Sequence, residues 1–264
     1  MPTFICWCQK KIVTLWAKIK MIKFACYYMP YNKKLMLLPL LSALIPAIVL
    51  LGYIYWRDRK SPEPIWQLVK ATALGVASIG VSLCISRPLQ AIGLIPEDIY
   101  SIGDAINVAF LGAAIPEELA KFVLLWLFLR NNRHFDERMD GIVYAVCISL
   151  GFAGLENVLY VIGDEDWMSV ALSRAVFSVP GHFCFGVIMG YFYSLSRFTW
   201  TNLYWNKVMT IVAPIVAHGV FDAILFISGV LDYQWLSLIL MLVFIVFCFY
   251  LWKWASHSIK RHMA

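Results

Sequence analysis

Apolar residues in this chain come in blocks of roughly 20, the length a helix needs to cross the hydrocarbon layer of a membrane. Seven blocks recur, at about 35–56, 65–86, 105–129, 141–162, 170–193, 207–228 and 233–254. A strand crossing a membrane needs only about 9–11 residues of alternating polarity, so these continuous runs exclude a β-barrel. Only helices satisfy their backbone groups internally over such lengths. The pattern therefore predicts an all-α, polytopic transmembrane helix bundle of about seven spans, forming one helical domain.

Composition agrees. The chain has 264 residues, 61% of them hydrophobic and 14% charged, against about 25% charged in soluble domains. Its mean hydropathy is +0.73. The seven cysteines are scattered and form no CxxC pair, which suits small buried apolar groups rather than a disulfide or zinc-ribbon framework.

Charge sets an orientation. Loops after the odd-numbered spans are basic, with Arg57, Arg59 and Lys60, then Arg130, Arg133 and Arg138, then Arg197 and Lys207, then Lys253, Lys260 and Arg261. The intervening loops are neutral or acidic, with Arg87 against Glu97, Asp98 and Asp104, then Asp164, Glu165 and Asp166, then Asp232. The positive-inside rule puts the basic loops and the C-terminus in the cytoplasm of a multi-pass protein of the cell membrane. Seven spans then leave the N-terminus outside, yet residues 1–34 carry seven lysines and no acid. Three readings meet this conflict: a start at Met29 or Met36, a surface helix outvoted by the later loops, or a span count off by one. The first is preferred. The lysines beside aromatics suit a membrane surface, and no nucleic-acid partner is expected. The chain thus divides into a lysine-rich segment (1–34), a helical domain (35–254) and a cytoplasmic tail (255–264).

Several charges break the apolar runs. Span three holds Glu117, Glu118 and Lys121; span four holds Glu156 and Asn157; span five holds His182; span six holds His218 and Asp222. An isolated charge at the bilayer centre costs about 3 kcal/mol on insertion scales. At 1.5 Å per residue these groups fall from mid-membrane to the outer half, so they are expected to share one interior polar site. Adjacent helical residues diverge by about 100°, so Glu117 and Glu118 cannot both face one atom squarely. Lys121 can neutralise either, and Asp222 can orient His218 from one turn away. Pro116 either kinks span three near Gly112 or starts a helix whose first turn holds both glutamates. Arg174 suits an interfacial side chain that reaches back to water. Gly151, Gly154, Gly181, Gly186 and Gly190 suit close helix packing.

Together EELAK (117–121), HFDERMDGIVYA (134–145), GFAGLENVLY (151–160), GHFCFGVIMGY (181–191) and AHGVFD (217–222), with WRDRKSPEP (56–64), resemble the PrsW-type intramembrane proteases, a family related to the CAAX prenyl endopeptidases and bacteriocin-processing proteins. The resemblance covers about 36–252. It implies a membrane peptidase that needs Glu117, Glu118 and His218. The prenyl endopeptidase branch has an arginine one position later and a histidine in its second motif, where this chain has Lys121 and Glu156, so farnesylated substrates are not expected. The resemblance further implies a first, extracytoplasmic cut in a single-pass membrane protein such as an anti-sigma factor.

The expected chemistry is hydrolysis by a water that one glutamate deprotonates while the other orients the site, bonded to Lys121. His218, steered by Asp222, would stabilise the oxyanion or protonate the leaving amine; Glu156 and His182 would complete the water site. No cofactor is required by this scheme. The same residues could hold zinc or another divalent ion, although HExxH is missing. A non-catalytic scaffold or carrier is the alternative from another class, and a carrier predicts inverted repeats that the sequence does not show.

Overall fold

The computed structural model describes residues 33–263, so the lysine-rich opening lies, up to residue 32, outside the described residues. Helix α1 (Lys33–Arg57) is followed by α2 (Ile65–Ala91). A third rod joins α3 (Ile102–Asn107), a π-helical stretch (Val108–Ala114) and α4 (Ile115–Leu129). Then come α5 (Arg138–Ile162) and a rod made of α6 (Trp167–Ser173), a second π-helical stretch (Arg174–Ser178) and α7 (Val179–Phe198). Helices α8 (Leu203–Val230) and α9 (Gln234–His262) complete the chain.

Among the described residues, six rods are long and apolar enough to cross a membrane: Leu37–Arg57, Ile65–Ala91, Arg138–Ile162, Trp167–Phe198, Leu203–Val230 and Gln234–His262. The seventh expected span corresponds to the rod through α3 and α4, which is helical from Ile102 to Leu129 but carries the charged cluster. The protein is thus a multi-pass helical membrane protein. Residues 255–262, expected as tail, continue α9, and Ala255 and Ile259 pack into the core beside Met139 and Ile142.

Helix α5 is the axle of the bundle. Its most apolar 18-residue window is 83% buried, whereas that of the peripheral α9 is 11% buried. It packs against α7, α2 and α1. A Cβ added to Gly151 would stand 2.1 Å from the Thr72 carbonyl oxygen of α2, and one on Gly190 of α7 would stand 2.3 Å from the Gly141 carbonyl oxygen of α5. Backbones come this close only where a side chain is missing, which is how helices gain dispersion contact in lipid. Gly154 differs from that expectation: its added Cβ would meet only ordinary contacts at 3.7 Å and beyond.

Pro116 lies at the very start of α4, whose first turn holds both glutamates as one of the two expectations had it, and the third rod runs on through it without a break. The Ile115 N–H reaches back five residues to the Phe110 carbonyl. Pro116 lacks an N–H, and its ring would strike a carbonyl four residues back, so a widened turn accommodates it without a break. The same device precedes Pro180, where the Val179 N–H bonds to the Arg174 carbonyl.

Candidate active site

Glu117, Glu118 and Lys121 lie in the first two turns of α4, Glu156 near the end of α5, His182 in the first turn of α7, and His218 and Asp222 one turn apart on α8. The fold brings all seven into one site. All but Asp222 are buried, and Glu118 and Lys121 are each 1% exposed; the Asp222 side chain, at 16%, forms the rim.

Glu118 is the hub. Its Oε1 accepts from Lys121 Nζ at 2.7 Å and lies 2.8 Å from His218 Nδ1. His218 Nε2 faces Asp222 Oδ2 at 3.4 Å. Lys121 Nζ also lies 3.2 Å from His182 Nδ1, and His182 Nε2 lies 3.1 Å from Glu156 Oε2. An ammonium can only donate and an ionised carboxylate only accept, so His182 takes the tautomer with its proton on Nε2. The Ser149 hydroxyl donates to the His182 carbonyl at 2.6 Å. Lys121 Nζ sits 4.1 Å above the Phe152 ring, and Phe185 stacks on His218 with centroids 4.7 Å apart. These rings are themselves buried and strengthen the interactions of the charges by keeping the local dielectric low.

The two glutamates are unequal. Glu117 Oε2 stands 3.7 Å from Lys121 Nζ and has no hydrogen-bond donor. Glu118 Oε2 also lacks a donor, but its other oxygen carries two partners. The expected divergence of the neighbouring side chains is offset by their length. One oxygen from each reaches within 4.8 Å of a nitrogen from both imidazoles.

Arg174 overturns the expectation of an interfacial side chain. It turns inward: Nη2 donates to Glu156 Oε2 and Nε to Asn157 Oδ1, both at 2.5 Å. Its guanidinium lies 3.8 Å from the Tyr160 ring centroid. Asn157 in turn donates from Nδ2 to the Ala43 carbonyl of α1 at 3.1 Å. The sequence signal was the one arginine within span five, and its direction depended on the π-helical turn.

Four carboxyl groups, of Glu117, Glu118, Glu156 and Asp222, thus share the site with two basic side chains, Lys121 and Arg174. Glu117, Glu118, His182 and His218 each offer a ligand atom within 4.8 Å of the others. Two nitrogens and two oxygens, with two carboxylate oxygens lacking donors, fit the donor set of a zinc-like divalent ion.

The sequence model of a family described as "PrsW family intramembrane metalloprotease" matches residues 63–251. The chain is 32% identical over 230 residues to a Protease PrsW of Clostridioides difficile, covering 84% of this chain and 90% of the relative. It is 34% identical over 228 residues to a Protease PrsW of Oceanobacillus iheyensis, covering 85% and 96%. It is also 34% identical over 186 residues to that of Bacillus subtilis, covering 70% and 81%. The chain belongs to the PrsW family. No solved structure matches it. As a PrsW family member it is a membrane peptidase, and the buried polar site just described is the candidate for its chemistry.

A second polar cluster in this PrsW family member escaped the sequence reading. Asp58, Glu63 and Asp140 are buried where the α1–α2 loop meets the start of α5. The Tyr144 hydroxyl donates to Glu63, and the Glu63 N–H donates to Asp58 Oδ2 at 3.2 Å. Asp140 Oδ2 accepts from the N–H groups of Asp136 and Glu137 at 3.0 and 2.6 Å, capping α5. Burial, with Asp140 and Glu137 adding repulsion, pushes the Asp58 carboxyl up to about 7. The clue lay in WRDRKSPEP and HFDERMDG, whose acids are interleaved with basic residues and so pass for solvated loops.

Proposed function

We propose that this protein is an intramembrane endopeptidase that makes a first, regulatory cut in a single-pass membrane protein, such as an anti-sigma factor, on its extracytoplasmic side. The cut uses a water activated by a glutamate. The observation that carries the assignment of roles is the inequality of the two acids. Glu118 is committed to Lys121 and His218, whereas Glu117 Oε2 has no donor and is free to accept a proton. Glu117 is therefore the general base and Glu118 the organiser. His218 is oriented between Glu118 and Asp222 to donate to the developing oxyanion or the leaving amine. His182, held in one tautomer by Lys121 and Glu156, completes the water site. The extracytoplasmic side and a cytoplasmic C-terminus follow from the distribution of basic loops.

A second reading has its own support, since four ligand atoms converge and the family is described as metalloproteases. Glu117, Glu118, His182 and His218 would hold a divalent ion such as zinc, which supplies Lewis-acid polarisation and a more acidic water. In that reading Glu156 and Asp222 orient the imidazoles from behind.

Substrate trapping tests the function. Glu117→Gln expressed beside wild type should accumulate an intact single-pass membrane protein that wild type cleaves; equal membrane proteomes would overturn the proposal. Chelation separates the two readings. Activity retained after dialysis against a chelator supports the glutamate base, and a loss restored by zinc transfers the chemistry to the ion.

A further inference from the structure

The cation at the far end of the polar chain is Arg174, which no motif singled out. Glu156 Oε2 sits between two donors, Arg174 Nη2 at 2.5 Å and His182 Nε2 at 3.1 Å. Glu156 is only 6% exposed. Take the guanidinium away and the buried carboxylate draws more strongly on the imidazole, pulling the ring toward α5 and away from Lys121. The guanidinium is itself fixed on three sides by Glu156, Asn157 and the Tyr160 ring. That planar, multidentate hold is one a lysine cannot reproduce.

The backbone is built to present it. Arg174 and His182 are eight residues apart, which on a regular α-helix sets them about 80° apart around the axis. The π-helical stretch Arg174–Ser178 inserts one residue into the turn, reducing the offset to about 20°. Both side chains then face Glu156 on α5.

We propose that Arg174 is a positioning residue for peptide-bond hydrolysis, acting through Glu156 to fix the tautomer and orientation of His182. This rests on the reading above that His182 belongs to the hydrolytic site. The test uses the full-length protein purified in detergent, with a single-pass transmembrane reporter whose extracytoplasmic segment carries a quenched fluorophore pair. Arg174→Gln is expected to lower kcat about 10–100-fold with KM held within about twofold. In a Glu156→Gln background the same change should cost less than about threefold more, because its route to His182 is already cut. Arg174→Lys keeps a charge beside Glu156 and should recover part of kcat; it also serves as the measurement if Arg174→Gln fails to fold, still with a kcat loss at constant KM. Wild-type kcat in Arg174→Gln, a loss that multiplies fully with that of Glu156→Gln, or a rise in KM alone would each overturn the proposal. A reporter still cut by Glu117→Gln overturns the hydrolytic reading and this proposal with it. A normal Arg174→Gln beside an inactive Glu117→Gln overturns this proposal alone.

Discussion

Replacing each glutamate of the pair by glutamine, one at a time, separates their roles by stability as well as by activity. In Glu118→Gln the carboxylate that holds Lys121 Nζ at 2.7 Å and His218 Nδ1 at 2.8 Å loses its charge. Lys121, 1% exposed, keeps Glu117 only at 3.7 Å. Removing one member of a buried pair costs about 3–5 kcal/mol, and the amide oxygen that still accepts one bond places this change at about 3. In Glu117→Gln the carboxyl group that is replaced had an oxygen with no donor. The desolvation cost that disappears offsets the weak attraction to Lys121, and the net change stays within about 1 kcal/mol of zero or is stabilising. Thermal unfolding in detergent, followed by tryptophan fluorescence after dialysis against a chelator, reads the difference without a contribution from bound ions. Reporter cleavage reads the chemistry, which both variants should lose. Equal destabilisation of the two variants, or cleavage retained in Glu117→Gln, would refute the assignment of base and organiser.

Gly151→Ala should push α2 and α5 apart, because the new Cβ meets the Thr72 carbonyl oxygen at 2.1 Å; about 1–3 kcal/mol is lost. Gly80→Ala on the same α2, with nothing within 4 Å, should gain up to about 1 kcal/mol; unfolding midpoints in detergent compare them. Asp58, held at about 7 against an ordinary 3.8, keeps a proton that the unfolded chain has already released, so stability falls as pH rises from about 4 to about 7. Asp58→Asn should flatten that fall, checked by unfolding midpoints at about pH 5 and about pH 8. Asp222→Asn removes a partner that stands 3.4 Å from His218 Nε2 at the rim. It should cost about 10-fold in kcat, less than His218→Gln, as measured by reporter cleavage.

The bundle was legible because the apolar runs are long, and the site because charges inside such runs are conspicuous. Glu117, Glu118, Lys121, Glu156, His182, His218 and Asp222 were all found this way, without knowledge of how the helices pack. Span ends were less legible, since a helix such as α9 continues past its apolar run to His262 when its last turns pack on the core. The acid cluster of Asp58, Glu63 and Asp140 was hidden because nearby basic residues disguise burial, and burial is a property of the assembled loops.

The sequence by itself determined a multi-pass helical protein with one buried polar site, because a membrane core penalises unpaired charge wherever it falls along a helix. Only the tertiary structure decided which glutamate is tied down and that Arg174 turns inward to Glu156. Those outcomes depend on the rotation of each helix about its axis. One residue inserted at a π-helical turn changes that rotation by about 100°, and no count of positions along the chain records it.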